Sequence, residues 1–307
     1  MRPRNLNLSF AFLSFCCLCG CGGRAEPVTA DSGTVDTLQE MFAKSGGSGG
    51  GGGPVLQDPT GFATLTGSVK IVGNAQTLPP LSLAGAKQEE IQFCSQEGAI
   101  PDERLMIGAN NELGGVVVYL DTKIPNEYGT WVHGSYKAEE AVTLKGARGF
   151  DQKNCRFLTH VFALRTTQTL QLINSDGTGH NTAISGSNPM NPTLSPGATF
   201  DWQPKTEVAR PFPVSCAIHP WMRAYIIVRD SPYFAVTDKD GKFEIKNLPA
   251  GVPLRFRVWQ EMAPSLNATA SADGTSVAIK RGRFKLQLED GKDQVLNVEV
   301  AATTFNN

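Results

Sequence analysis

Short segments in which apolar and polar residues alternate dominate the chain from about residue 62 to its end. The alternation is clearest where Leu254, Phe256 and Val258 are separated by Arg255 and Arg257. Because successive side chains of a strand point to opposite faces, this pattern predicts β-strands with one buried face. Other segments that alternate in this way or form short apolar runs are 64–72, 116–120, 142–144, 161–164, 170–173, 225–228, 284–288 and 296–300.

Helical periodicity is weak throughout the sequence. Val35, Leu38, Met41 and Phe42 have helical spacing, but a helix of two turns is marginal without tertiary support. The chain also contains 32 glycines and 19 prolines, and only 19% of its residues are charged. These features predict an all-β protein whose antiparallel sheets pack face to face as sandwiches.

Two charged stretches lie between predicted strands. Asp238-Lys-Asp240-Gly241 separates 234–236 from 243–245 and predicts a hairpin turn. It lacks the further carboxylates of a calcium-binding loop, so we interpret it as a turn alone. Lys280-Arg-Gly-Arg283 is interpreted in the same way, as the charged tip of a hairpin.

The N-terminal segment differs from the rest of the chain. Met1-Arg-Pro-Arg precedes an apolar stretch from Leu8 to Cys19, an order typical of a secretory signal peptide and too short for a comfortable membrane span. The tetrad Leu18-Cys19-Gly20-Cys21 resembles a bacterial lipobox. The resemblance implies that Cys21 is acylated and anchors the protein to the membrane at the cell envelope, in the periplasm or on the outer surface. An ordinary signal peptide or a helical anchor is the alternative.

The segment between the leader and the first strand is rich in glycine. Residues 46–53 are glycine except for Ser48, and Pro54 follows them. Such a composition predicts a flexible, disordered tether over 22–61.

Charge and histidine content exclude several classes of function. The chain has 28 Lys and Arg against 29 Asp and Glu, so no overall basic field favours nucleic acid, and we expect no nucleic-acid partner. Four histidines are too few for a mechanism that needs a large histidine cluster.

One short stretch combines three kinds of metal-binding side chain. Cys216, His219 and Met222 follow each other in the spacing Cys-x2-His-x2-Met, and His180 lies upstream in a glycine-bearing loop. One thiolate, two imidazoles and a distant thioether form the donor set of a blue copper centre. Zinc competes for a Cys/His site, but the thioether favours copper.

The same motifs resemble the cupredoxin family. The stretch Cys-x2-His-Pro-x-Met before a strand is most similar to the short ligand loop of amicyanin, and residues 174–181 resemble the stretch that carries the family's first histidine. Phe157 and Thr169-Leu170 also match, whereas Thr159 replaces a proline of the family pattern. The similarity covers about residues 138–230.

The resemblance implies a Greek-key sandwich with one type 1 copper. Asn181 would brace the ligand loop by hydrogen bonding. The copper ligands it implies are His180, Cys216, His219 and Met222.

A second resemblance concerns the flanking segments. Residues 234–259 resemble the carboxypeptidase-regulatory, transthyretin-like β-sandwich, in which Thr-Asp-x-Asp-Gly-x-Phe is followed by Leu-Pro-x-Gly. Residues 67–69 and 116–120 would supply its opening strands, which makes the cupredoxin-like segment an insertion. The combination resembles secreted bacterial proteins of the methylamine-utilisation type. The predicted divisions are a leader (1–21), a tether (22–61), opening strands (62–137), a cupredoxin-like domain (138–230) and the rest of the second sandwich (231–302).

The remaining candidates have structural interpretations beside functional ones. Cys94 and Cys155 are the other cysteines outside the leader, and an oxidising compartment favours a disulfide between them. Trp221 either forms part of a docking surface beside His219 or simply packs. We interpret His160 as structural rather than as a fifth ligand or a separate metal site, and His133 as solvated.

These observations predict a lipid-anchored, single-copper electron carrier that works with a redox partner protein of unknown identity. Electrons would leave through an exposed edge of His219. A copper-binding module for metal handling without a redox partner, or a metal-free scaffold at the cell surface, are the alternatives. We expect no enzyme, because His133 and His160 cannot supply the ligands of a trinuclear copper cluster.

Overall fold

The computed structural model describes residues 57–306, and strands make up most of its regular structure. The predicted all-β fold class is confirmed. The leader with Cys21, and the predicted tether up to residue 56, lie outside the described residues. Between residues 57 and 306, no helix has the length and apolar character needed to cross a membrane.

The strands are short and follow one another closely along the chain. A single α-helix within the described range, α1 (Gln88–Cys94), was not predicted because its seven residues hold too few turns to show a period. The first strands are β1 (Gly61–Val72), β2 (Met106–Ile107), β3 (Leu113–Gly114), β4 (Val117–Leu120), β5 (Thr143–Leu144), β6 (Phe150–Lys153), β7 (Arg156–Phe157), β8 (Val161–Arg165), β9 (Thr169–Asn174), β10 (His180–Asn181) and β11 (Ala183–Ile184).

The second half of the described chain continues in the same way. Its strands are β12 (Thr193–Leu194), β13 (Thr199–Trp202), β14 (Phe212–Ser215), β15 (Arg223–Arg229), β16 (Phe234–Val236), β17 (Lys242–Ala250), β18 (Pro253–Trp259), β19 (Ala268–Ala272), β20 (Thr275–Ile279), β21 (Arg283–Gln287) and β22 (Gln294–Ala301).

Two sheets form what we call the terminal sandwich. One sheet has the order β17-β1-β22-β19-β20 and the other β16-β4-β18-β21. Their inner faces share one core, to which Leu65, Phe243, Phe256 and Val298 contribute fully buried or nearly buried side chains. The alternation along 254–258 is therefore explained: Leu254, Phe256 and Val258 face this core, and the two arginines between these three residues point away from it.

Two further sheets form the central sandwich. One has the order β11-β14-β15-β8; the other runs β13-β9-β6-β7, and β5 also pairs with β9. Phe150, Leu172, Trp202, Val214 and Ile226 come from both sheets and fill its core. In the chain, β1 and β4 precede these strands, and β16 to β22 follow them.

The alternation had suggested purely antiparallel sheets, but the sheets are mixed. β1 runs parallel to β22, β8 runs parallel to β15, and both β5 and β6 run parallel to β9. These partners are distant in sequence or joined by crossovers, so no tight turn fixes their direction. Periodicity reports which face is buried and carries no information about strand direction.

The turn at 238–241 is present, but it does not join a hairpin as predicted. Asp238 Oδ1 accepts from the backbone nitrogens of Asp240 and Lys242, each at 2.9 Å. The strands on either side belong to different sheets, because β16 pairs with β4 and β17 pairs with β1. The turn therefore carries the chain from one sheet of the terminal sandwich to the other.

The two sandwiches contact each other through β4. Val118 and Leu120 face the terminal core, while Val117 and Tyr119 on the opposite face pack with Ile227 of β15. Burial on both faces explains why 116–120 is an uninterrupted apolar run rather than an alternating one. Arg229 of β15 strengthens the contact, since its Nη2 donates to the Leu120 carbonyl oxygen at 3.0 Å.

The segment between β1 and β2 belongs to the central core more than to the terminal one. Leu81, Leu83, Phe93 and Ile100 pack against the central core, although they fall within the predicted opening segment 62–137 of the other sandwich. A disulfide between Cys94 and Cys155, with a Cα–Cα distance of 5.2 Å, joins α1 to the turn between β6 and β7.

Replacing Phe256 by alanine should strongly destabilise the protein. Its side chain is fully buried and its ring stacks on Phe284 with centroids 5.2 Å apart. The cavity left behind should lower the free energy of unfolding by about 3–5 kcal/mol in chemical denaturation. Val295→Ala is the control, since Val295 is 44% exposed, and should change it by less than about 0.5 kcal/mol. Equal effects of the two substitutions would contradict the assignment of the core.

Candidate metal centre

The loop between β14 and β15 carries three of the four predicted ligands. Antiparallel pairing of these strands brings Ser215 opposite Arg223, so the loop leaves and re-enters the same sheet. Cys216 N donates to the Met222 carbonyl oxygen at 3.2 Å, and Met222 N donates to the His219 carbonyl oxygen at 2.9 Å. These two bonds fold seven residues into a tight turn that brings Cys216 and His219 together.

His180 reaches the same point from β10. Its Nδ1 lies 2.9 Å from Nδ1 of His219, and the Cys216 Sγ lies 3.9 Å from that same His219 atom. Donor atoms of His180, Cys216 and His219 all lie within 4.8 Å of one another. The three side chains are at most 2% exposed, and Met222 at the end of the loop is 1% exposed.

Asn181 holds the ligand loop from the neighbouring strand. Its Oδ1 accepts from Ala217 N at 2.8 Å and from Ile218 N at 3.4 Å, and the Cys216 Sγ lies 3.3 Å from the same oxygen. One amide oxygen thus satisfies the backbone directly after the cysteine and contacts the sulfur itself. The hydrogen bonding expected of Asn181 is present in this geometry.

Asp176 is a further residue of the centre and was not among the predicted site residues. Its Oδ2 accepts a hydrogen bond from Cys155 N at 2.8 Å. The same oxygen lies 2.8 Å from Nε2 of His180. A carboxylate only accepts, so Nε2 of His180 carries a proton, and its Nδ1 faces His219 and Cys216. The sequence contains a signal for this residue, because Asp176 precedes His180 by four positions. A metal-binding histidine needs a hydrogen-bond partner for its second ring nitrogen, and a nearby carboxylate can provide it.

The centre favours the ionised forms of its acidic groups. Burial by itself would raise the pKa of Asp176, but hydrogen bonds from Cys155 N, His180 and Gly177 N bring it below its ordinary value. Burial would also raise the pKa of Cys216, yet hydrogen bonds from His180, His219 and nearby backbone lower it to about 5. For His180, burial lowers the pKa, and its bonds to Cys216 and Asp176 outweigh this and raise it. A thiolate is therefore available at neutral pH.

His219 is buried, and the expectation of an exposed edge is wrong. Its side chain is 2% exposed. The sulfurs of Cys94 and Cys155 lie within 4.8 Å of one of its ring nitrogens and of each other. The Trp221 ring lies 5.2 Å from the His219 ring, and its Nε1 donates to the Cys155 carbonyl oxygen at 3.1 Å. The disulfide and Trp221 together cover His219. Because Cys94 is far from the ligand motif in sequence, the motif alone could not predict this burial.

The other two histidines do not join the centre. His160 Nε2 lies 2.6 Å from Glu261 Oε2, with both side chains buried, which agrees with a structural interpretation. His133 is partly buried rather than fully solvated, because its Nδ1 accepts from Ser135 N at 3.2 Å and its ring meets the edge of Phe62 at 5.0 Å. Neither belongs to a group of closely spaced metal-binding side chains in the described part of the chain.

No protein-family model matches the chain, and no curated protein matches its sequence. The copper-containing nitrite reductase of Thermus scotoductus SA-01 matches 26% of this chain with TM-score 0.24 and 19% identity. The match covers only 22% of the length of that nitrite reductase. A reduced mutant of amicyanin matches with TM-score 0.24 and 15% identity over 36% of this chain and 98% of its own. A purple cupredoxin from Nitrosopumilus maritimus matches with TM-score 0.21 and 20% identity over 32% of this chain and 94% of its own. Likeness at this level establishes neither a shared fold nor a shared function.

The metal-free protein should contain a thiolate that titrates far below the usual range. Ultraviolet thiolate absorbance should show a transition near pH 5 that is missing in Cys216→Ser. Because the folded pKa lies below the ordinary 9.0, the resulting stabilisation is fully present above pH 9 and is lost as the pH falls towards 5. A difference between the two proteins that appears only near pH 9 would contradict this geometry.

Proposed function

We propose that the chain is a mononuclear copper protein of the cupredoxin type that acts as a one-electron carrier. The observation that carries the proposal is the convergence of one buried thiol and two imidazole nitrogens within 4.8 Å. Thiolate together with imidazole suits copper in both of its oxidation states. When bound, copper alternates between Cu(I) and Cu(II) and supplies the transfer of one electron.

The donor atoms fit a single metal ion. Bonds of about 2.0 Å to imidazole nitrogen and 2.3 Å to thiolate sulfur permit two nitrogens to be up to about 4 Å apart. The two Nδ1 atoms are 2.9 Å apart and the sulfur is 3.9 Å from one of them, so both separations fall within that limit. His180, Cys216 and His219 would hold the ion, and Met222 at the end of the loop would supply a weak thioether ligand.

The surrounding residues prepare these donors without a bound ion. Asp176 keeps the His180 proton on Nε2 and so leaves Nδ1 free to coordinate. Asn181 fixes the backbone after Cys216, which limits the movement of the thiolate. Burial excludes water from all three donors. A fixed arrangement of this kind reduces the rearrangement that accompanies a change of oxidation state.

We also propose a division of labour along the chain. The cupredoxin-like domain (138–230) is inserted in a transthyretin-like sandwich (62–137 and 231–302), and the order of strands supports this, because β1 and β4 pair with strands that follow the central sandwich. The terminal sandwich is a non-catalytic scaffold. We propose a carrier rather than an enzyme, since His160 is paired with Glu261 and His133 alone cannot supply a second copper site.

A second candidate function is copper handling without a redox partner. The burial of His219 at 2% exposure favours it, because a ligand edge covered by a disulfide and Trp221 cannot touch a partner protein directly. Under the carrier proposal, a redox partner protein docks on the surface around Trp221. The two functions share the same copper site and differ in how fast electrons enter and leave it.

Copper titration separates these possibilities. The chain without residues 1–21 should take up one Cu(II) and turn intensely blue through thiolate-to-copper charge transfer, and Cys216→Ser should abolish the colour. His160→Ala is the control and should keep it, because His160 is not among the grouped donors. Rapid reversible reduction by a small donor supports the carrier, and a colourless complex would refute it in favour of metal handling. Absence of any binding would leave the metal-free scaffold.

We further propose that Cys21 is acylated and that the protein is anchored at the cell envelope. The motif Leu18-Cys19-Gly20-Cys21 supports this proposal. Expressed in a bacterium with a lipoprotein pathway, the wild-type chain should sediment with membranes, and Cys21→Ser should move to the soluble fraction or stay unprocessed. Cys19→Ser is the matched control and should remain with the membranes. Equal fractionation of all three proteins would contradict the anchor.

A further inference from the structure

A buried cation lies away from the metal centre, and residues 57–306 provide no counterion for it. Arg165, the last residue of β8, is 1% exposed. Its Nε donates to the Asp230 carbonyl oxygen at 3.3 Å, and its Nη1 donates to the Tyr128 hydroxyl at 3.2 Å and the Tyr136 carbonyl oxygen at 3.4 Å. Nη2 is buried and has no hydrogen-bond partner among the described residues. All of the acceptors are neutral groups.

This arrangement is costly unless an anion completes it. Burying the charge of a guanidinium costs roughly several kcal/mol of desolvation free energy. Hydrogen bonds to neutral acceptors offset this cost only in part. The nearby phenols do not supply the missing charge. Burial raises the pKa of Tyr136 to about 12 and also raises the pKa of Tyr233, so both stay neutral at physiological pH.

Arg165 lines a cavity of about 270 Å³ between the two sandwiches. Gln168 lines it from the central sandwich, and Phe234, Glu244 and Lys246 line it from β16 and β17. A group bound there would therefore contact both sandwiches at once.

The charges around the cavity leave one positive charge uncompensated. Glu139 pairs with Arg148 at 2.6 Å, and Glu244 pairs with Lys246 at 3.3 Å. No ion pair of Arg165 occurs between residues 57 and 306. Each carboxylate at the cavity thus has its own cation, and Arg165 remains without one.

We propose that this cavity binds a small oxyanion, a carboxylate or inorganic phosphate, on the guanidinium of Arg165. Nε and Nη1 of Arg165 already donate to neutral oxygens of the protein, so the two hydrogens of Nη2 remain for the oxygens of either anion. Because the ligand contacts both sandwiches and binds only the folded chain, it stabilises their association. This inference is independent of the copper site.

Calorimetric titration of the full-length chain with sodium acetate and, separately, sodium phosphate tests the proposal in a zwitterionic buffer of low ionic strength. One saturable site should appear for at least one anion, and the arm that binds more tightly identifies the ligand as a carboxylate or a phosphate. Arg165→Gln should weaken binding by about tenfold or more, the size expected for losing a charged hydrogen bond. Arg283→Gln, which removes an exposed charge on β21, is the matched control and should not change it.

A second variant keeps the test valid if Arg165→Gln fails to fold. Lys246→Glu alters an exposed side chain at the cavity without touching the core, and its negative charge should weaken binding by at least about threefold. Absence of saturable binding in the wild-type chain would overturn the proposal. Binding that is equally strong in Arg165→Gln, or in Lys246→Glu where Arg165→Gln does not fold, would overturn it as well.

Discussion

A thiolate and two imidazoles remain close together inside a protein only when the polar atoms around them are satisfied. In this chain a small set of hydrogen bonds meets that condition. Asp176 accepts from His180 Nε2 and from the backbone of Cys155, while Asn181 accepts from the backbone after Cys216. The direction of the His180 donor atom and the shape of the ligand loop depend on these bonds, while hydrogen bonds from His180, His219 and nearby backbone lower the pKa of the Cys216 thiol. The geometry of the centre therefore depends on residues other than the proposed ligands.

The disulfide between Cys94 and Cys155 connects this hydrogen-bond network to helix α1. Cys155 supplies its amide to Asp176 and its carbonyl oxygen to Trp221, and its sulfur is bonded to Cys94. One residue thus connects the partner of His180, the neighbour of His219 and helix α1. The same connection buries His219, which makes access to the centre a property of the whole domain rather than of the ligand loop.

The strands and the clustered donor residues could be predicted from the sequence because both leave local signatures. The period of two along 254–258 indicates a buried face, and the spacing of Cys216, His219 and Met222 indicates a turn. The features that could not be predicted depend on contacts between distant segments. The parallel pairing of β1 with β22, the separation of β16 from β17 into two sheets and the cover over His219 are of this kind. Asp176 differs, since its position beside His180 could have been recognised from the second nitrogen's need for a partner.

We propose that one copper ion is held jointly by His180, Cys216 and His219. A crystal structure of the copper-loaded protein, with anomalous diffraction measured on both sides of the copper absorption edge, tests it directly. We predict a single strong anomalous peak bonded to Nδ1 of both histidines and to the sulfur of Cys216. A peak bonded to other side chains, or a loaded crystal in which these three side chains bind no copper, would contradict the claim.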